Sequence, residues 1–293
     1  MHNRHIFIEF LLLLVAFIWA SNFSVAKISM AEIDPMSFNA IRFLLATLLM
    51  WVVIYWKGKW KPVLKKDYGH MILLGLTGNL IYQLLFIFGL DYTFSANAAV
   101  MLGTVPVWVA LISHFFYDEQ MNRNKAIGVI LAFSGVLLIL LGKPEQISMS
   151  SKTFMGDILT LFSALMFGYY TVHSKKLLSY YPPTQLTTIT MTIGGIGLML
   201  AGIPWLVNLN FTTISSLAYG GTIYSGLFSI GAAFLIWNYG LKQVGAVRTA
   251  TYQNLVPVLG LILGFMVLGE KLAFVQYLGS LVVIAGIIQT RRK

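Results

Sequence analysis

The chain reads as an all-α polytopic membrane protein of ten transmembrane helices, built as two oppositely oriented five-helix repeats. Three observations predict this: ten apolar stretches of spanning length, basic residues concentrated in alternate loops, and self-similarity at one fixed offset. Over 293 residues, 58% are hydrophobic and 10% charged, with a mean hydropathy of +0.78. Soluble domains carry about 25% charged residues, so most of this surface is solvated by lipid. That balance excludes the disordered and fibrous classes and argues against a soluble enzyme. The absence of cysteine removes disulfides, thiolate metal sites and cysteine nucleophiles together. A net charge of +10 suggests nucleic acid in a soluble domain, but here the basic residues lie between apolar blocks. Membrane lipids are therefore the expected partner, and nucleic acid is not.

A bilayer-crossing helix needs about 20 mostly apolar residues. The first such stretch, Ile6 to Ile28, follows Arg4 and contains Glu9, Trp19 and Asn22. Its basic start and apolar run resemble a signal peptide, yet it is long enough to cross and nine further spans follow. The second, Pro35 to Trp56, carries Arg42, with Trp51, Trp56 and Trp60 as an interfacial belt at its end. The third, Gly69 to Leu90, sets Asn79, Tyr82 and Gln83 at helical spacing on one face. The fourth, Ser95 to Tyr117, contains Asn97 and is interrupted by Pro106; the fifth, Lys125 to Gly142, carries Gly128 and Gly135. The sixth, Phe154 to Ser174, holds Tyr169, Tyr170 and His173 on what reads as a shared face, and the seventh, Thr184 to Val207, has Thr190 where the second has Arg42. The eighth, Leu217 to Leu241, bears Trp237 and Asn238; the ninth, Ala246 to Leu268, has Gln253, Asn254 and Pro257; the tenth, Leu272 to Thr290, has Gly279 and Gly286.

With the N-terminus in the cytosol, the inner segments hold fifteen basic residues: Arg4, Lys57, Lys59, Lys61, Lys65, Lys66, Arg123, Lys125, Lys175, Lys176, Lys242, Arg248, Arg291, Arg292 and Lys293. The outer segments hold four, namely Lys27, Lys143, Lys152 and Lys271. Cytoplasmic loops attract the positive residues, so the asymmetry predicts a plasma-membrane protein with both termini in the cytosol.

At an offset of 151, Gly75 meets Gly226, Gly89-Leu90 meets Gly240-Leu241, Val105-Pro106-Val107 meets Val256-Pro257-Val258, Glu119 meets Glu270, and Gly128 and Gly135 meet Gly279 and Gly286. Chance similarity between apolar helices matches Leu and Val, not a proline, a glutamate and several glycines in register, so a duplication is indicated. The expected division is a first repeat over 1–142, an outer linker over 143–153 and a second repeat over 154–293. Five spans per copy is an odd number, so the second copy enters the membrane from the opposite face. Inverted repeats of this kind are common among secondary transporters.

Motifs in order along both halves carry a resemblance. WASNFSVAKI begins at Trp19, IRFLLATLLM at Ile41, NAAVMLGTVPVWVALISHFFYDEQMN at Asn97, GVILAFSGVLLIL at Gly128 and LGSLVVIAGII at Leu278. Together they resemble the EamA-type branch of the drug/metabolite transporter superfamily over essentially the whole chain. The resemblance implies a central cavity between the halves and export or exchange of small metabolites, amino acids often among them. One departure is FGYYTVHSKK in the sixth span, where Tyr169, Tyr170 and His173 stand in place of the first span's Ser21, Asn22 and Val25.

Polar and aromatic side chains inside spans are the candidates for lining such a cavity: Trp19, Asn22, Asn79, Tyr82, Gln83, Tyr169, Tyr170, His173, Trp237, Asn238, Gln253 and Asn254. Hydrogen-bonded glue between helices is the alternative for each. Pro106 and Pro257 lack the amide hydrogen and crowd the carbonyls of Leu102 and Gln253, so both helices are expected to kink there, for gating or for packing. Arg42 is the one basic residue well inside a span; it either holds a solute carboxylate or snorkels outward to tie helix ends. No HExxH, Walker A loop, CxxC or acid pair within a span occurs, so no catalytic residue, metal or cofactor is expected. The leading function is a secondary transporter of a small-molecule substrate; a passive facilitator or channel and a lipid-head-group flippase are the alternatives. Whether the chain acts as a monomer or a homodimer is open.

Overall fold

The computed structural model describes residues 2–57, 59–116, 122–141, 151–268 and 273–291. The repeated Glu119 and Glu270, the linker residues 143–150, and Lys143, Lys271, Arg292 and Lys293 lie outside these. The described residues are almost all helical. In order they form α1 (His2–Met30), α2 (Pro35–Lys57), α3 (Tyr68–Gly75), α4 (Tyr82–Tyr92), α5 (Ser95–Leu102), α6 (Val105–Phe116), α7 (Arg123–Leu141), α8 (Ser151–Leu178), α9 (Pro183–Leu206), α10 (Ser216–Tyr224), α11 (Ala233–Val244), α12 (Ala246–Thr251), α13 (Leu255–Leu268) and α14 (Phe274–Arg291).

Seven continuous stretches are long and apolar enough to cross a membrane: Ile6–Met30, Pro35–Trp56, Lys65–Tyr92, Asn97–Phe116, Lys152–Leu178, Pro183–Leu206 and Ser216–Val244. The expected fifth, ninth and tenth spans fall on α7, on α12 with α13, and on α14, which are not among the seven. About half of each of the seven is buried inside the protein. The other half displays side chains such as Tyr55, Trp56, Phe115 and Leu200, an apolar coat that only lipid covers without penalty.

Two irregularities recur about 150 residues apart. A π-helical segment, Leu76–Ile81, joins α3 to α4, and another, Ser225–Ala232, joins α10 to α11. The α5–α6 helix opens at Gly103 and Thr104, and a 3₁₀ turn at Tyr252–Asn254 separates α12 from α13. Pro106 and Pro257 lie in the first turns after these openings, where a missing amide hydrogen costs nothing. The expected kinks are thus short irregular turns, at which the chain stays helical in sense but leaves the α geometry a few residues before each proline.

Equivalent helices meet antiparallel. Gly195 of α9 faces Thr47 of α2 and Gly202 faces Ala40, so the residue numbers run in opposite directions along the pair. In α7 and α14, Gly128 lies against Gly286 and Gly135 against Gly279. The glycine faces of the two helices, each with its pair of glycines seven residues apart, therefore meet within one chain. Other pairings exchange likewise: α4 packs on α8 as α11 packs on α1, and α9 packs on the first π segment as α2 does on the second.

Two straps tie the halves together at opposite ends. At one end the Tyr181 hydroxyl donates to Asp67 Oδ2 at 2.7 Å and accepts the Leu64 amide at 3.0 Å, while Gln185 exchanges two hydrogen bonds with the Lys61 backbone. Burial, first of all, raises the Tyr181 phenol above its ordinary pKa. At the other end Glu32 accepts from the Ser215 amide and hydroxyl, both at 2.7 Å, and Ser215 caps α10. The Ser215 amide bond, reinforced by the hydroxyl, lowers the Glu32 pKa. Tyr181→Phe removes two neutral or charge-assisted bonds, about 1 kcal/mol each. Limited trypsinolysis at Lys65 and Lys66 should then run several-fold faster than in the wild type; an unchanged rate argues that the strap contributes nothing to closing that loop.

The start of α1 and the end of α14 lie at one end of the bundle. Arg248 of α12 pairs with Glu9 near the start of α1, Thr251 lies 3.5 Å from Thr290 at the end of α14, and Gln289 donates to Asn124 at the start of α7.

Candidate functional site

Near the middle of the bundle, α1, α2, the two π-interrupted helices and the two broken helices converge on a slot. It is lined by Trp19, Asn22, Phe23, Arg42, Tyr82, Gln83, Phe86, Ala99, Leu102, Ser229, Ile230, Phe234, Gln253 and Val256. The cavity between these side chains has a volume of about 30 Å³. The slot in this conformation thus has room for one or two waters. Any metabolite needs the walls to separate.

The local backbone explains how these residues reach the slot. Asn22 stands three residues after Trp19 on α1, and Trp19 Nε1 donates to the Ser229 carbonyl in the second π segment at 3.0 Å. The π segments shift the helix phase by inserting an extra residue into a turn. Gln253 sits in the 3₁₀ turn and Leu102 at the opening beyond α5, so both interruptions border the slot.

One side of the slot is closed by packed rings. Trp19 lies 5.1 Å from Trp237 and 5.8 Å from Phe167, and Phe167 lies 4.9 Å from Tyr82, 5.3 Å from Trp237 and 5.6 Å from Phe234. Trp237 is about one and a half turns from Lys242 on α11, and Tyr170 a similar distance from Lys176 on α8, so this cluster faces the end of the bundle that carries those lysines. Each offset or edge-on pair is worth about 0.5 to 1.5 kcal/mol beyond burial.

Arg42 is 1% exposed. It does not snorkel outward: its Nε donates to Asn39 Oδ1 at 2.9 Å, Nη1 to Ser225 Oγ at 3.2 Å and Nη2 to Gln83 Oε1 at 2.6 Å. The rings of Phe38 and Phe86 lie 5.0 and 5.9 Å from its guanidinium carbon. The backbone approach is close enough that a side chain at Gly226 would strike the Arg42 carbonyl.

Of the residues singled out in the sequence, Trp19, Asn22, Arg42, Tyr82, Gln83 and Gln253 come together here. Others do not. Asn79 turns to Gly194 of α9, away from Tyr82 and Gln83, because the π segment between them breaks the regular spacing on which a shared face relied. Tyr169, Tyr170 and His173 do not share a face either. Tyr170 is buried and accepts a 2.8 Å bond from Asn238 Nδ2, which also reaches Thr187 Oγ1, while Tyr169 and His173 stack at 3.8 Å and line a separate surface pocket with His70, Lys66 and Lys176. Tyr169 and Tyr170 lie about 100° apart, on either side of His173, and the structure turns Tyr170 into the core while Tyr169 goes with His173 to the surface. Trp237 donates to Thr171 Oγ1, Asn254 is buried outside the slot, and Asn97 bonds Asp157. Asn39, Ser225 and Ser229 were not picked out; Asn39, three residues before Arg42 on the same face, was the one with a readable signal.

Comparison with known proteins accords with this architecture. The chain matches the EamA-like transporter family over residues 6–141 and 154–291. An uncharacterized transporter of Archaeoglobus fulgidus is 34% identical over 97% of this chain and 96% of its own length. The uncharacterized transporter YyaM of Bacillus subtilis is 29% identical over 97% of this chain and 93% of its own. A probable terminal-alkyne amino-acid exporter of Streptantibioticus cattleyicolor is 24% identical over 96% of this chain and 92% of its own. A crystal structure at 15% identity superposes with a TM-score of 0.78 over 95% of this chain and 94% of its own, which shows a common fold. With both halves matched and full-length relatives named as transporters, the chain belongs to the EamA-like transporter family and is a multi-pass membrane transporter, not an enzyme.

Proposed function

We propose that the protein is a secondary transporter that exports or exchanges small metabolites, amino acids or related amphipathic compounds, across the plasma membrane by alternating access. In this reading the chain makes ten spans as two inverted repeats, 1–142 and 154–293, joined by an outer linker, with both termini in the cytosol. The observation that carries it is the slot: residues of both halves line it, and packed rings close it towards the lysine-bearing end. The antiparallel α2–α9 and α7–α14 pairs support the inversion, and the common location of the chain ends supports a shared side for the termini. The similarity to the probable amino-acid exporter of Streptantibioticus supports amino acids as the solute class.

Purified protein in proteoliposomes should show saturable counterflow of amino acids with stimulation by solute on the opposite side. Flux that rises linearly with concentration and shows no stimulation overturns alternating access. Tyr82→Ala and Gln253→Ala should each weaken solute binding about tenfold, the equivalent of one good polar or aromatic contact. Unchanged affinity in both removes these side chains from the site.

A further inference from the structure

The centre of the slot holds a cation without an anion. Among the described residues no carboxylate pairs with Arg42; its three acceptors, Asn39 Oδ1, Ser225 Oγ and Gln83 Oε1, are all neutral. A guanidinium has five N–H groups, and these bonds use one on Nε and one on each terminal nitrogen. One N–H on Nη1 and one on Nη2 are left without a protein acceptor. The three neutral partners come from α2, α4 and the second π segment, so the head group is fixed in place and not left to seek water. A buried cation inside a membrane protein otherwise pairs with an anion, because desolvation without a partner is costly.

Two further polar atoms in the same slot are also unpartnered. Asn22 Oδ1 and Gln253 Oε1 are buried and accept no hydrogen bond from the described residues, and both side chains are 4% exposed. They stand on α1 and on the 3₁₀ turn, one from each half. Buried acceptors of this kind cost about 1 to 3 kcal/mol each unless something donates to them.

We infer that the slot is a receptor for a zwitterion, in which Arg42 holds the solute's carboxylate and the Asn22 and Gln253 oxygens accept from its protonated amine. The carboxylate takes the two remaining guanidinium N–H groups, an arrangement in which charge-assisted bonds are roughly twice as strong as neutral ones. Trp19, Phe86 and Phe234 then flank the solute's apolar part. This rests on the transporter reading above and narrows it to the class of α-amino acids and close analogues that keep both charged groups.

The test uses the full chain in detergent, with thermal unfolding measured against the twenty proteinogenic amino acids. For each one that stabilises the wild type, the same measurement is repeated with its primary amide, its decarboxylated amine and its N-acetyl derivative. At least one amino acid should stabilise the protein, and its amide and amine should bind about tenfold or more weakly, since each lacks the carboxylate charge. The N-acetyl derivative should also bind more weakly. Arg42→Gln should bring acid and amide to equal affinity, and Arg42→Lys should restore part of the preference. Should Arg42→Gln fail to fold, the acid-to-amide ratio in the wild type and in Arg42→Lys decides the matter. Equal binding of acid and amide by the wild type overturns the assignment, as does stabilisation by no amino acid. Proteoliposome flux separates the two readings. A protein that moves amines or sugars but no carboxylate remains a transporter without this receptor, whereas one that binds amino acids and moves nothing keeps the receptor and loses the transport.

Discussion

Gly135→Val and Gly286→Val should each abolish most of the folded protein. A side chain at Gly135 would lie 2.6 Å from both the Gly279 carbonyl and the Val283 amide, and one at Gly286 would strike the Ala132 backbone. Because the obstacles are backbone atoms, no rotamer change relieves them, and α7 and α14 must move apart along their length. Overpacking a tight core typically costs 1 to 3 kcal/mol, and two clashes against backbone put these variants at about 3 kcal/mol or above. Size-exclusion chromatography in detergent and thermal unfolding would read the loss. Gly220→Ala is the control: nothing lies within 4 Å of the position, and alanine is the better helix former by up to about 1 kcal/mol. A Gly135→Val protein that elutes and melts like the wild type would show that α7 and α14 are not locked against each other.

The second large effect is on rate. Pro106→Ala and Pro257→Ala each restore an amide hydrogen in the first turn after an irregular turn, the donor that a regular α-helix pairs with the carbonyls of Leu102 and Gln253. A continuous helix then becomes available in place of the interrupted one. Ala99 and Leu102 on one side and Gln253 and Val256 on the other line the slot, so straightening either helix stiffens the wall that has to move. Transport should slow about tenfold or more while the amount of folded protein changes less than about twofold, as expected when a hinge and not the core is altered. Equal loss of flux and of folded protein would assign the prolines to packing alone.

The legible parts of this protein are those where one residue type has one physical use. Apolar length marked the spans at α1, α2, α8 and α9, and repeated prolines marked the two helix breaks to within a few residues. The repeated Gly128, Gly135, Gly279 and Gly286 were legible as matched positions, and the structure shows them meeting where α7 crosses α14. The π segments were not legible, since nothing in LTGNLI or SGLFSIGA distinguishes a widened turn from an ordinary one. Their consequence was the misplacement of Asn79, whose regular spacing from Tyr82 and Gln83 assumed an unbroken α-helix.

The site divides along the same line. Arg42, Asn22 and Gln253 were recognisable as polar residues at membrane depth, but each fitted both a binding role and interhelical glue. Asn238 and Tyr170 took the second use, bonded to each other between helices. Sequence alone determined that this chain lives in lipid, is duplicated and bends two equivalent helices near a proline, because hydropathy, repetition and proline chemistry act over short distances along the chain. Tertiary structure decided which polar groups share the slot and that Arg42 meets only neutral partners among the described residues, because those facts depend on residues about 210 positions apart being brought within hydrogen-bond reach, as Trp19 and Ser229 are.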